Sequence, residues 1–296
     1  MILSANSYSA RRVDGPVLAR LALAIGMMFP LAACSTLESL NPFGGEKYET
    51  KILPEEPADQ IYDQGLARLQ KGDGEGAAKK FADLEKQYPF SSHSRRGMVM
   101  QIYSNYQASQ WDDAIANARR YIALYPSTPE APYAMYLAAM SYYSQVPDIS
   151  RDQERAEKAL QLFEQLAEKY PKSEYAEDAR YKIQVTRDQL AAKEMSIGRF
   201  YLARKNYTAA VNRFREVVAK YQTTRHIEEA LYRLTEAYMA LGITQEAQTA
   251  AAVLGHNYPD SQWYKDAFAR LQGGGLEPQE NKASWISRAF KTVGLG

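Results

Sequence analysis

One feature constrains this chain more than any other: a Tyr-Pro pair closes one amphipathic stretch after another. The pairs are Tyr88-Pro89, Tyr125-Pro126, Tyr170-Pro171 and Tyr258-Pro259, and Tyr221-Gln222 is a fifth copy that keeps the Tyr and lacks the Pro. The five tyrosines are 37, 45, 51 and 37 residues apart. Twelve positions before the second residue of each pair stands an alanine every time: Ala77, Ala114, Ala159, Ala210 and Ala247. Eight positions before it stand Phe81, Phe163 and Phe214, with Ala118 and Ala251 in the other two copies. Gly65 and Gly198 lie twenty-four positions before, and Tyr201 and Tyr238 twenty-one. Self-similarity on this scale marks stacked units, none of which can bury its own apolar face alone.

The pattern resembles the tetratricopeptide repeat (TPR), a helix–turn–helix unit of about 34 residues with small residues at fixed points and Pro near its end. A small residue where two helices cross lets their backbones approach, and a neighbouring Phe or Tyr fills the space beside it. Pro cannot continue the second helix, so it sets the start of the next connection. The predicted fold is all-α, a right-handed superhelical solenoid of five TPR repeats. Its helix pairs are predicted at 58–70 with 74–87, 92–108 with 111–124, 129–146 with 151–169, 174–205 with 207–220, and 225–241 with 244–256. The third repeat carries an inserted loop at Pro147-Asp148-Ile149-Ser150, and the fourth opens with an unusually long helix. A capping helix over 260–272 is expected to cover the last repeat, as solenoid ends require. A Gly273-Gly274-Gly275 hinge is then expected to release a flexible tail.

The N-terminus has a different character. Arg11, Arg12 and Arg20 precede an apolar run from Leu21 to Phe29, the layout of an export signal and too short to span a bilayer. The run ends in Leu31-Ala32-Ala33-Cys34, which resembles the lipobox of bacterial lipoproteins. That resemblance implies cleavage after residue 33 and covalent N-acyl and S-diacylglycerol lipid at Cys34. Ser35 follows, not the Asp that retains such lipoproteins at the inner membrane, so the expected location is the periplasmic face of the outer membrane. Several acyl chains hold firmly where one is marginal, at roughly 0.8 kcal/mol per buried methylene. The organisation expected is therefore a signal at 1–33, a lipidated flexible tether at 34–57, the repeat domain with its cap at 58–272, and the tail at 273–296.

Cys34 is the only cysteine, so an internal disulfide and a multi-thiolate zinc site are excluded. The 36 Lys+Arg and 35 Asp+Glu give a formal charge of +1, and loss of the signal's three Arg and one Asp makes it −1. That balance argues against nucleic acid as a partner. His93, His226 and His256 show no metal-ligand spacing, and no nucleophile-elbow or Walker-type motif is present. The Gly72-Asp73-Gly74-Glu75-Gly76 run reads as an interhelix turn, and so does the sequon-like Asn206-Tyr207-Thr208. No catalytic residue, metal or cofactor besides the lipid is expected, and the chain reads as a binding scaffold rather than an enzyme.

More specific stretches carry a family resemblance over residues 31 to about 260. These are Tyr88-Pro89-Phe90, the insertion Asp148 to Gln153, Tyr170 to Tyr175 with Asp178-Ala179-Arg180, Glu194 to Tyr207, and Ala210-Val211-Asn212-Arg213. Together behind a lipobox they resemble the BamD (ComL/YfiO) family of the β-barrel assembly (BAM) complex. Gln222, where the family often has Pro, and the long tail depart from its pattern. The resemblance implies binding to the POTRA domains of BamA, with Arg204 and Arg213 on the BamA-facing surface. It also implies other BAM lipoproteins as partners, and capture of targeting segments of unfolded outer-membrane β-barrel proteins by the N-terminal repeats. Tyr62, Tyr103 and Tyr106 are the candidate groove residues for those aromatic-ended segments. In the tail, Trp285, Ile286, Ala289, Phe290 and Val293 recur at helical spacing between Lys282, Arg288 and Lys291. Such a segment could dock on another subunit, rest at the membrane or fold back on the solenoid. Two other functions stay open at this point. One is a different lipidated repeat scaffold, for pilus assembly or cell division. The other is a cell-wall or polysaccharide enzyme with a repeat module, for which five repeats leave no room for a catalytic domain.

Overall fold

The structure is a computed structural model that describes residues 56–148 and 150–291. The export segment, Cys34 and nearly all of the tether lie outside the described residues. All regular structure among the described residues is helical. The first repeat is α1 (Ala58–Gln70) with α2 (Gly74–Gln87), the second α3 (Ser92–Gln107) with α4 (Trp111–Leu124), and the third α5 (Ala131–Tyr143) with α6 (Glu154–Lys169). The fourth is α7 (Tyr175–Ala203) with α8 (Tyr207–Lys220), and the fifth α9 (Ile227–Ala240) with α10 (Thr244–Asn257). The cap α11 (Gln262–Gly273) and a short α12 (Trp285–Lys291) complete the chain. Each helix packs on the next through α11, and α3 also packs on α5, α5 on α7 and α9 on α11. This is a TPR solenoid with five helix pairs, as the repeat predicts.

The periodic positions hold the pairs together. All five offset-twelve alanines are fully buried, as are Phe81, Phe163 and Phe214. Burying each phenyl ring contributes roughly 1.5–3 kcal/mol. The glycines show why nothing larger fits: a Cβ on Gly65 would lie 2.6 Å from the Phe81 ring, and one on Gly198 2.4 Å from Phe214. The repeat-ending tyrosines also reach back along the stack. Tyr88 Oη donates to the Glu56 carbonyl (2.8 Å) and Tyr170 Oη to the Pro126 carbonyl (2.7 Å).

The turns within four repeats share one backbone device, a residue with positive φ at the equivalent place. Gly72 (φ 77°) and Gly242 (φ 74°) supply it in repeats one and five, Ser109 (φ 57°) and Lys205 (φ 61°) in two and four. Asp73 then caps α2 by accepting from the Gly76 N–H (2.8 Å), and Asn206 caps α8 by accepting from the Ala209 N–H (3.3 Å). Both motif-like stretches are therefore helix caps.

The third repeat departs, and its two irregularities explain each other. α5 ends at Tyr143 and α6 begins at Glu154, leaving a connection longer than the helical periodicity predicts. Buried Gln153 ties that connection internally, donating to the carbonyls of Asp148 (2.9 Å) and Arg151 (3.2 Å). The long α7 clamps it from outside. Gln189 donates to the Pro147 carbonyl (3.1 Å) and Lys193 to that of Arg151 (3.0 Å). The insertion is thus braced by the turns of α7 that an ordinary repeat lacks.

The flexible tail expected beyond Gly273 is corrected for residues 276–291. The chain turns at Gly275 (φ 71°) and returns to the solenoid, where α12 packs on α8 and α10. Ile286 and Phe290 are buried in the same apolar cluster as Phe214, Leu231 and Leu254. The reason is apolar area: the helical spacing marked in the tail finds a matching face on repeats four and five. Val293 lies outside the described residues.

Candidate interaction surfaces

The first helices of successive repeats form one continuous face, and side chains along it divide into two stripes. The N-terminal stripe is aromatic. Tyr103 and Tyr106 on α3, Tyr133 and Tyr136 on α5, and Tyr175 at the start of α7 are each half-buried. The Tyr175 ring lies 5.1 Å from Tyr133 and 5.3 Å from Tyr136, centroid to centroid, in tilted stacks. Tyr136 Oη donates to the Asp178 carboxylate at 2.8 Å. Burial, and then the neighbouring Tyr103 and Tyr106, push the Tyr133 hydroxyl up to about 12. Burial and then Glu174 push Tyr175 up to about 12, and burial and then Asp178 raise Tyr136. All three remain neutral phenols at physiological pH, able to stack and to donate.

Of the three predicted groove tyrosines, the structure joins two to this stripe. Tyr103 packs on the cluster around Ile102 and Leu137 and accepts from the Gln107 amide (2.8 Å). Tyr106 packs edge-on against Trp111 at 5.2 Å. Tyr62 stands apart, against Phe81 (5.6 Å) and His93 (5.7 Å), as packing between the first helices. Tyr133, Tyr136 and Tyr175 were not singled out by sequence. The signal was there, since Tyr133 and Tyr136 are three apart on α5 and Tyr175 opens α7, but nothing local says that they converge.

The C-terminal stripe is ionic. Arg199 on α7 grips Glu229 on α9 with two hydrogen bonds (2.9 and 2.8 Å). Glu229 also meets Arg233 (3.3 Å), Arg233 meets Glu236 (2.9 Å), and Glu236 meets Arg270 on α11 (3.0 Å). Burial pushes the Glu229 carboxyl up, but the guanidiniums of Arg199 and Arg233 outweigh it and hold the group below its ordinary value. Arg233 also lies over the rings of Tyr232 (5.1 Å) and Trp263 (5.6 Å).

Arg204 and Arg213, the two partner-facing candidates, both lie in the fourth repeat but in different settings. Arg204 caps α7 and its guanidinium lies 3.6 Å from the centroid of Phe200, a ring that is itself 54% exposed. This pair is an exposed cation–aromatic knob. Arg213 sits on α8, paired to Glu194 at 3.2 Å, beside a cleft of about 450 Å³ that Glu157, Tyr201 and Glu216 also line. Its remaining donors can serve a second carboxylate, since a guanidinium carries five N–H groups. Among the described residues no cluster of three or more His, Cys, Asp or Glu could hold a metal ion, and no helix is long and apolar enough to cross a membrane.

Residues 54–254 match the family model YfiO, described as outer membrane lipoprotein. The chain is 44% identical over 235 residues to the outer membrane protein assembly factor BamD of Caulobacter vibrioides, covering 79% of this chain and 77% of that one. It is 42% identical over 212 residues to the protein of the same name from Rickettsia prowazekii, covering 72% and 84%. A solved thermophilic TPR protein from Thermus thermophilus is 15% identical, with a TM-score of 0.32 over 72% of this chain and 98% of that one. The matched span runs from the first helix pair into α10 and so takes in all of the recurring Ala and Phe positions and four of the five repeat-ending tyrosines, and on that ground the chain belongs to the YfiO family of outer membrane lipoproteins.

Proposed function

We propose that this protein is a lipid-anchored, periplasmic, non-catalytic scaffold of the BAM machinery, which folds and inserts β-barrel proteins into the outer membrane. The observation that carries the reading is its kinship, across most of the chain, with proteins named outer membrane protein assembly factor BamD. In this reading lipid on Cys34 anchors the chain, residues 34–57 act as tether, and residues 58–272 present the binding faces. The tyrosine stripe, with Tyr103, Tyr106, Tyr133 and Tyr136, takes the aromatic-ended targeting segments of unfolded substrates. Half-buried phenols suit that task, because each offers a ring for stacking, and a phenol whose proton is not committed as that of Tyr136 is to Asp178 can also donate to a main-chain carbonyl. The fourth repeat, through Arg204 and Arg213, meets the POTRA domains of BamA. Guanidinium groups on an exposed ring and beside an acidic cleft favour bidentate pairing with partner carboxylates. Other lipoproteins of the complex complete the assembly.

The test is affinity capture of the mature protein from detergent-solubilised envelope, followed by Arg213→Glu. Wild type is expected to recover a POTRA-bearing barrel protein, and Arg213→Glu to weaken that association by about 2–5 kcal/mol if the pair is buried. Capture without a POTRA protein would refute the scaffold reading. Unchanged binding by Arg213→Glu would remove that residue from the interface.

A further inference from the structure

The two departures from the family pattern, Gln222 and the long tail, meet in space. Gln222 is 6% exposed, and its Nε2 donates to the carbonyl of Ala289 in α12 at 3.0 Å. The other four repeats have Pro at this place, which offers no side-chain donor. Around that bond the tail lies in the groove between α8 and α10, with α9 behind. Trp285 Nε1 donates to Tyr238 Oη (3.2 Å), and the Arg215 guanidinium lies 4.8 Å from the centroid of the Trp285 ring. Ser284 Oγ donates to Glu246 (2.6 Å). Ile286 and Phe290 fill the bottom, 0% and 2% exposed.

The groove one repeat earlier supplies the contrast. Tyr201 holds there the position that Tyr238 holds here, and Pro171 holds that of Gln222. That groove is the open cleft of about 450 Å³ beside Arg213. The repeat therefore creates the groove in both places, and the tail with its glutamine decides which one is filled. α12 has seven residues, too few to persist as a helix in isolation, so its conformation is conferred by the groove.

We infer that the groove between α8 and α10 is a docking site for a short, basic amphipathic helix, that α12 is its resident occupant, and that Gln222 is the latch that retains it. The inference does not depend on the BAM reading, since it uses only contacts within this chain.

The experiment uses the full chain with Ile286→Asp and Phe290→Asp, which frees the tail and leaves every groove residue intact. A labelled peptide of residues 281–291 is titrated and followed by anisotropy, beside a scrambled peptide. The freed variant is expected to bind the native peptide saturably, in roughly the micromolar range. Wild type should bind at least about tenfold more weakly, because a tethered tail competes at millimolar effective concentration. Gln222→Pro in the freed background should weaken peptide binding several-fold. In the wild-type background it should speed amide exchange over 281–291 and leave α1–α7 unchanged. No binding by the freed variant, equal binding by wild type, or binding of the scrambled peptide would overturn the docking site. A freed variant that no longer folds would also overturn it, since the tail would then be core and not an occupant. Unchanged binding and exchange in Gln222→Pro would remove the latch.

Discussion

The two stripes on the face of the first helices use one scaffold for opposite chemistries. From α3 to the start of α7 the face carries half-buried tyrosines, those of α5 and α7 stacking across helices, and from the end of α7 to α11 it carries paired Arg and Glu. The long α7 belongs to both, with Tyr175 at one end and Arg199 at the other. Beneath them the cores are built alike, from buried Ala and a Phe at corresponding offsets. The difference teaches that in this solenoid recognition is separable from folding. Buried periodic residues set the helix pairs, and the surface of each pair is free to carry either a neutral, hydrogen-bonding aromatic strip or a self-paired ionic one. A half-buried aromatic strip keeps part of its ring surface accessible to another aromatic group. An ionic strip already satisfied internally has less to offer, because partner binding must compete with pairs in place.

The largest expected effect on this contrast comes from Tyr175→Ala. It removes the ring shared by Tyr133 and Tyr136 and should cost roughly 2–3 kcal/mol in denaturant unfolding, less than a fully buried Phe because the site is only half-buried. A loss below about 0.5 kcal/mol would mean that the stripe is a row of independent side chains and not a stack.

An intermediate effect is expected from acid. Glu229 has a depressed pKa in the folded state, so its contribution is present above its ordinary value of 4.5 and is lost as pH falls through the lower folded value. Wild type should lose more of its denaturation midpoint between about pH 5 and pH 3 than Glu229→Gln does. Parallel losses would show that the ionic stripe contributes nothing through this carboxylate.

The smallest effect is expected at Tyr136→Phe, which deletes the hydroxyl bonded to Asp178 and keeps the ring. About 1 kcal/mol of stability should be lost, with near-ultraviolet signals of the neighbouring tyrosines preserved. The same stripe has an alkaline signature. The folded pKa values of Tyr133 and Tyr175 are raised to about 12, so their contribution is complete below the ordinary value of 10.0 and fades as pH climbs toward 12. Absorbance titration at high pH should show these phenols ionising late, after the exposed tyrosines.

Much of this was legible in the chain. Offsets of twelve and eight from each Tyr-Pro located the buried Ala and Phe, because a helix crossing admits only small residues and the neighbouring ring must fill what they leave. Outside the third repeat the helix boundaries followed closely from local signals, the Gly turns of repeats one and five and the Pro stops among them. The inserted loop was visible as a spacing of 45, but its bracing by Gln189 and Lys193 was not, since those contacts join residues 42 apart. Likewise Tyr103 and Tyr106 could be nominated from composition and position, whereas Tyr62 could not be distinguished from them until its ring was seen against Phe81 and His93.

By itself, then, the sequence determined the repeat: five helix pairs, their approximate bounds outside the third repeat's insertion, the recurring Ala and Phe that they bury, and a lipobox-like cysteine before them. These are consequences of short-range backbone preference and of apolar spacing, both written along the chain. Only the tertiary structure decided which surface residues meet. It aligned tyrosines of three helices, paired Arg199 with Glu229 and Glu236 with Arg270, and returned the tail to Gln222, 67 residues before Ala289. Those contacts depend on how helix pairs stack in three dimensions, and stacking brings together residues between which the sequence records no local relation.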